Sequence, residues 1–182
     1  MKLIIGLGNP GKEYEKTRHN VGFMMINNLK KELEKYDIND WEISKKFNAE
    51  ICGCSINNEK IILAKPLTFM NNSGESVQLI MHYYKINIRD LIVIHDDKDI
   101  LINNFKIQTD KESAGHNGIK SIINHLQNKS FTRVRIGIAS ENKRKMSETA
   151  KFVLGRFNIF ERKKIENTIK LATSELISEI IK

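Results

Sequence analysis

The hydrophobic and polar positions of the chain change period several times, and each change predicts an element. Residues 2–7 (Lys-Leu-Ile-Ile-Gly-Leu) form a short apolar run, which reads as a buried strand. A loop punctuated by Gly and Pro follows from Gly8 to Asn20. Val21, Met25, Leu29 and Leu33 then recur at every fourth position, the spacing of an amphipathic helix. Two β-rich stretches, 47–56 and 60–65, flank Asn57-Asn58-Glu59, a hairpin turn. Pro66 to Asn72 reads as a loop, and Ser73-Gly-Glu-Ser-Val opens a helix running to about Tyr84. Leu91-Ile-Val-Ile-His95 is a third buried strand ending in acidic residues. A weaker strand at 104–109, a loop, a helix from about Gly118 to Gln127 and a strand from Arg133 to Ile138 complete the middle of the chain. Phe160, Ile165, Ile169, Ala172, Leu176 and Ile180, three to five residues apart, predict a final helix. Strands alternating with helices imply an α/β fold, with a twisted, mixed, mostly parallel sheet between helices. The hairpin supplies its antiparallel part.

Length and composition narrow the picture. The 182 residues suit one domain spanning 1–182, long enough for a substantial core. Hydrophobic residues at 40% and charged ones at 29% are ordinary globular proportions. No apolar run approaches the roughly 18 residues of a membrane span. The start turns to Gly, Asn and Pro too early for a signal peptide. Two cysteines make no disulfide framework. A cytoplasmic protein is expected. The net charge of +8 and pI near 9.4 suggest polyanionic partners. Ile (28), Asn (19) and Lys (23) are so abundant that part of the lysine excess reflects compositional bias, and the charge is supporting evidence only.

Several motifs carry candidate chemistry. Gly6-x-Gly8-x-x-Gly11 matches the dinucleotide fingerprint, which requires a helix to begin at its glycines. Pro10 interrupts it, helical periodicity waits until Val21, and the acidic residue expected about 20 positions on is missing. Cys52-x-Cys54 lies in a strand, where both thiols share a face, and lacks the second ligand pair of a structural zinc. Two small buried residues are expected there. His82 and His125 have no partner pattern and read as structural or solvated.

Four segments place amides, imidazoles or carboxylates on loops that follow strands or open helices. They are Gly8-Asn9-Pro10-Gly11, Thr17-Arg18-His19-Asn20, Phe69-Met70-Asn71-Asn72-Ser73-Gly74, and His95-Asp96-Asp97 together with Gly115-His116-Asn117-Gly118. Loops at the carboxyl ends of α/β strands converge on one cleft. Histidine, aspartate and carboxamides without a Ser or Cys nucleophile are equipped to activate water and stabilise an oxyanion. That suits ester hydrolysis without a cofactor. The same Asn and His residues also suit helix caps and turns, and pattern alone leaves both readings open.

In this set the chain resembles the bacterial-type peptidyl-tRNA hydrolases. Gly6-Leu-Gly-Asn-Pro-Gly11 with Tyr14 and Thr17-Arg-His-Asn-Val-Gly22 is similar to that family's opening. Lys65-Pro-Leu-Thr-Phe-Met-Asn71-x-Ser-Gly74, His95-Asp96-Asp97-x-Asp99 and Gly115-His-Asn-Gly-Ile-Lys120 resemble its next motifs. Phe131-x-Arg-Val-Arg-Ile-Gly-Ile138 and Phe152-Val-Leu-Gly155 continue the match, in order, over residues 2–155. The resemblance implies hydrolysis of the ester between a peptide and tRNA, with no cofactor, no metal and no membrane, by a monomer. It implies His19 as general base and Asp96 as its orienting partner. Asn9 and Asn71 would bind the carbonyl region and the oxyanion. Asn117 would orient water, with His116 beside it. Tyr14, Phe69 and Met70 would shape the peptide channel. Lys106, Lys120, Arg133, Arg135 and the Lys143-Arg144-Lys145 cluster are candidates for phosphate contacts, which position tRNA without reading sequence.

The chain departs from the family pattern at Asp97, usually a glutamate, and at Lys98, usually apolar. Asp110-Lys111-Glu112-Ser113-Ala114 replaces a Gly-rich stretch, and Ala139-Ser140-Glu141 a Gly/Pro turn. None of these touches His19, Asp96, Asn9, Asn71 or Asn117. The alternatives are a non-catalytic RNA-binding protein on the same fold, a metal-dependent hydrolase using His95, Asp96, Asp97 and Asp99, and a nucleotide-dependent oxidoreductase.

Overall fold

The computed structural model describes residues 1–109, 112–140, 142 and 146–181. Seven strands form one mixed sheet: β1 (Lys2–Gly6), β2 (Glu42–Ser44), β3 (Ala49–Ile56), β4 (Glu59–Pro66), β5 (Leu91–Leu101), β6 (Phe105–Gln108) and β7 (Thr132–Ala139). Their order across the sheet is β2-β3-β4-β1-β5-β7-β6. The four central strands, β4, β1, β5 and β7, are parallel neighbours, and β2, β3 and β6 extend the edges antiparallel. The parallel centre is covered on both faces, which is why its strands read as unbroken apolar runs.

Alternation sorts those runs between two cores. Ile4, Ile61, Leu63, Ile92, Ile94, Val134 and Ile136 face α1 (Val21–Glu32) and α5 (Ile159–Ile180). Leu3, Ile5, Ile62, Ala64, Leu91 and Val93 face α2 (Ser73–Tyr84) and α3 (Asn117–Leu126). A one-residue slip of any central strand would exchange its two sets.

The hairpin is tighter than predicted. Ile56 pairs with Glu59, so the loop is Asn57 and Asn58 alone, both at positive φ (50° and 64°), as a two-residue turn matched to strand twist demands. Two glycines of the fingerprint, Gly6 and Gly8, prove to be packing positions against α1, a Cβ on Gly8 falling 2.6 Å from the Phe23 ring. A Cβ on Gly22 would sit 2.5 Å from the Ile94 carbonyl oxygen and from Leu7 N and O, and one on Gly6 would sit 2.6 Å from the Gly22 carbonyl oxygen. Glycine at both positions lets α1 rest directly on the sheet, and no helix begins at Gly8–Gly11 to hold a pyrophosphate.

Three predicted features change. β5 runs through His95, Asp96 and Asp97 instead of ending at His95, because pairing with β7 continues as far as Asp97 opposite Gly137 before the register shifts. β2 and α4 (Thr149–Leu154) are additional elements too short for periodicity to reveal. Phe160 is 81% exposed and does not belong to the apolar stripe of α5, whose buried positions begin at Ile165. The start of α5 is closed by Asn158 and Glu161, which satisfy each other's backbone N–H groups in a capping box.

Candidate active site

The site forms where β1, β5 and the loop before α3 deliver their polar residues to one end of the sheet. Leaving β1, the chain carries Asn9 to the cleft, where the Asn20 side chain clamps it. Asn9 N donates to Asn20 Oδ1 and Asn20 Nδ2 donates to the Asn9 carbonyl, both at 2.9 Å. Asn9 Oδ1 accepts from Met70 N at 2.8 Å. The group Asn9 has left for a ligand is therefore its Nδ2–H donor. Phe69, just before Met70, holds φ 57° and ψ 162° and is half exposed, a strained conformation for a bulky residue at a cleft.

Asp96 is the hub of the site. Its side chain is 3% exposed, and Oδ1 accepts from His19 Nδ1 at 2.8 Å and from His116 Nε2 at 2.9 Å. His116 caps α3: its Nδ1 accepts from Ile119 N at 3.3 Å. That lone pair is occupied, so the proton lies on Nε2 and points at Asp96. His19 spends its Nδ1–H on Asp96, which leaves its Nε2 lone pair uncommitted. His95 donates Nδ1–H to the Asp96 carbonyl at 2.7 Å and meets the His116 ring edge-on at 4.8 Å between centroids. Two imidazoles thus share the Asp96 carboxylate, and a third holds its backbone carbonyl.

The electrostatics follow from this arrangement. Burial acts to raise the Asp96 carboxyl, but the electrostatic attraction and hydrogen bond of His116, joined by those of His19, outweigh it and hold Asp96 well below the ordinary carboxylate range. Burial, reinforced by His116, pushes His95 well below the ordinary imidazole range, so it is neutral. Its Nε2 is buried without a partner.

These groups lie in a cleft of about 510 Å³. Asn9, His19, Asp96, His116 and Asn117 form its polar part, with Asn71 and Lys98 also lining it. Phe69, Met70, and Ala150, Val153 and Leu154 of α4 supply an apolar side. The expected Asn, His and Asp residues therefore converge. The motif Phe152-Val-Leu-Gly155 belongs to the family resemblance, but it signalled neither α4 nor the place of that helix in the cleft wall. Nothing signalled that Asn20 would clamp Asn9.

The other candidate residues fall in different places. Tyr14 is not among the residues that line the cleft; its backbone N–H and carbonyl close turns with Gly11 and Thr17. Arg133 is 1% exposed, with Nη1 donating to the Glu112 carbonyl at 2.9 Å, and no buried guanidinium can meet a phosphate at the surface. Arg135 is tied to Asp97 Oδ2 at 2.7 Å and to Gln108 Oε1 at 2.6 Å. Lys106 and Lys120 are exposed, and Lys106 pairs with Arg135 across β6 and β7, which puts both side chains on one face. The Lys143-Arg144-Lys145 cluster and residues 110–111 lie outside the described residues. Beyond these, Ala114 and Gly115 adopt positive φ (48° and 77°), so the loop keeps a left-handed turn even where alanine has entered it.

The metal alternative built on His95, Asp96, Asp97 and Asp99 does not assemble. His95 faces a carbonyl, and Asp97 is occupied by Arg135 and the Asp99 N–H. Among the described residues, the grouping of possible ligand atoms is instead His19, Asp96 and His116, within 4.8 Å of one another, and its two close contacts are N–H···O hydrogen bonds. Cys52 and Cys54 are buried and unpaired, as expected, and burial pushes the Cys52 thiol up to about 12. His125 donates Nδ1–H to the Ser121 carbonyl and His82 is exposed.

The family model described as peptidyl-tRNA hydrolase matches residues 3–182. The peptidyl-tRNA hydrolase of Mycoplasma mycoides subsp. mycoides is 58% identical over 138 residues, 76% of this chain and 72% of that one. That of Bacillus cereus is 43% identical over 175 residues, 94% and 89% of the two chains. The crystal structure of the Acinetobacter baumannii peptidyl-tRNA hydrolase superposes with a TM-score of 0.83 at 30% identity, covering all of this chain and 92% of that one. A peptidyl-tRNA hydrolase in complex with n-propanol gives 0.85 at 33% identity, covering 96% and 85%.

Proposed function

The chain belongs to the peptidyl-tRNA hydrolase family, and from that premise we propose how its cleft cleaves the ester between a peptide and tRNA. The enzyme hydrolyses peptidyl-tRNA, releasing the peptide and a tRNA that can be charged again. The hydrolase matches do not favour a non-catalytic RNA-binding protein on this fold.

One observation carries the mechanism: His19 donates Nδ1–H to Asp96 at 2.8 Å and keeps Nε2 free in the cleft. In this reading Nε2 takes a proton from water as the water oxygen bonds to the ester carbonyl carbon. The carbonyl π electrons move onto oxygen, and the resulting oxyanion accepts hydrogen bonds from Asn9 Nδ2–H and from the Asn71 carboxamide, while Asn117 orients the attacking water. Collapse breaks the bond to the ribose oxygen, which takes the proton back from His19. Asp96 keeps the imidazole in the needed tautomer and stabilises the imidazolium formed in between. A base so placed contributes on the order of 10²–10⁴-fold.

Met70, Phe69 and the α4 side chains would receive the peptide. Lys106 and Lys120 would contact tRNA phosphates, with Arg135 beside them. A monomer in the cytoplasm, where peptidyl-tRNA arises, is the expected state and compartment. No described helix is long and apolar enough to cross a membrane.

The test is single-turnover hydrolysis of a labelled N-acylaminoacyl-tRNA, with a chelator present, by the wild type and His19→Ala. Rapid release by the wild type and none by the variant, with tRNA still bound, is expected. Undiminished release by the variant would remove His19 from the mechanism, and chelator-sensitive release would point to a metal.

A further inference from the structure

Arg18 stands immediately before the proposed base and belongs to none of the chemistry above, yet it is one of the most heavily engaged side chains in the protein. The residue is 8% exposed. Its guanidinium carbon lies 4.5 Å from the centroid of Phe152 in α4 and 5.3 Å from that of Phe157, in the connection to α5. Nη1 donates to the Phe152 carbonyl at 3.3 Å, and Nη2 to Glu161 Oε2 at 2.8 Å. That same Glu161 oxygen accepts from Asn158 N at 2.8 Å to close the capping box of α5. The backbone repeats the connection: Arg18 N donates to the Gly155 carbonyl at 3.0 Å, and Thr17 bridges Arg156 antiparallel.

One side chain thus holds the end of α4 and the start of α5 against the residue before His19. α4 needs such support. It has six residues, of which Phe152 alone is buried, and a helix below roughly 12 residues is marginal without tertiary contacts. Its remaining turn contributes Thr149, Ala150, Val153 and Leu154 to the cleft that contains His19. The position of this apolar wall relative to the base is therefore set through Arg18.

We propose that Arg18 is a positioning residue that fixes the apolar wall of α4 beside His19 and so selects substrates with bulky apolar side chains at the esterified end of the peptide. The inference rests on the reading of the cleft as the peptide channel. Arg18 is not among the residues that line the cleft, and its effect on catalysis passes through the wall. A lysine would keep a charge for Glu161 but lose the planar stacking between two phenyl rings and the second donor to the Phe152 carbonyl.

The experiment compares wild type, Arg18→Gln and Arg18→Lys with N-acetyl-phenylalanyl-tRNA and N-acetyl-glycyl-tRNA as substrates, alongside amide hydrogen exchange. For Arg18→Gln, exchange over residues 149–155 should accelerate while β1 stays protected. KM for the phenylalanyl substrate should rise about tenfold, the scale on which apolar pockets discriminate, with KM for the glycyl substrate and both kcat values within about threefold. Arg18→Lys should fall between, and because it preserves the charge it remains informative if the glutamine variant fails to fold. A merely structural role would lower kcat on both substrates alike, and that result overturns the proposal. Unchanged exchange over 149–155 also overturns it. Faster exchange with unchanged KM overturns the link to specificity and removes α4 from the peptide channel. Failure of the wild type to hydrolyse either substrate would sink the hydrolase mechanism itself, while exchange would still report on the latch.

Discussion

His19 Nδ1 and Asp96 Oδ1, 77 positions apart in the chain, meet at 2.8 Å. The pair exists because β1 and β5 are parallel neighbours, so the loop leaving β1 emerges beside the part of β5 that carries Asp96, and because Gly22 lets α1 seat close enough to carry the preceding loop over Asp96. Asp96→Asn preserves the shape of this contact while removing its charge. Single-turnover kcat should fall about 10²- to 10⁴-fold with little change in KM, as expected when tautomer and imidazolium stabilisation are lost. An effect confined to KM would contradict the assigned role.

His95 makes stability depend on pH. Its folded-state affinity for a proton is depressed by burial and by His116, whereas in the unfolded chain it titrates near 6.5. Above that pH both states are neutral and His95 contributes no dependence. Below it the unfolded chain takes up a proton that the folded chain refuses, so stability declines as pH falls until the folded-state value is reached. The slope from this one group is at most about 1.4 kcal/mol per pH unit. Urea midpoints of the wild type and His95→Asn, compared from pH 7.5 to pH 5, should diverge in slope, the variant being flatter. Parallel curves would show that His95 protonates freely in the fold.

Gly22→Ala should be among the most damaging small substitutions in the chain. The added methyl would lie 2.5 Å from backbone atoms of Leu7 and Ile94, and backbone cannot yield as a flexible side chain can. A loss of about 2–3 kcal/mol, the scale of overpacking, should appear in urea unfolding. Activity should fall with it, since α1 follows directly on His19 and Asn20.

The basic residues divide by burial. Lys106→Ala and Lys120→Ala should each weaken tRNA binding and lower the slope of log K against log salt by about 1. Arg133→Ala should leave that slope unchanged and lower the unfolding midpoint, because its guanidinium is buried against the Glu112 carbonyl. A salt slope changed by Arg133→Ala and untouched by Lys106→Ala would reverse the assignment.

The division between what sequence reveals and what it hides follows the range of the interactions. The helix at Ser73–Tyr84 and the strands flanking Asn57-Asn58 were legible because periodicity and turn chemistry act over a few residues. The candidate site residues were legible as motifs, since polar amides, imidazoles and carboxylates directly after apolar runs have few local reasons to be there, although Asp96 proves to lie within β5 and not on a loop. Arg133 and Arg135 could not be sorted in this way. On a strand they share one face, and only the loop from Glu112 to Gly115 and the carboxylate of Asp97 determine that one is buried and the other ion-paired.

By itself, then, the sequence determined the alternating α/β order, the two-faced burial of the central strands and the identities of the polar residues brought to the cleft. Tertiary structure alone decided that Asp96 serves two histidines at once, that a glycine fingerprint packs a helix instead of binding a nucleotide, and that Arg18 joins the proposed base to a wall more than 130 positions away. The physical reason is that periodicity encodes which face of an element is buried, whereas partner choice depends on contacts between segments whose separation along the chain leaves no local pattern.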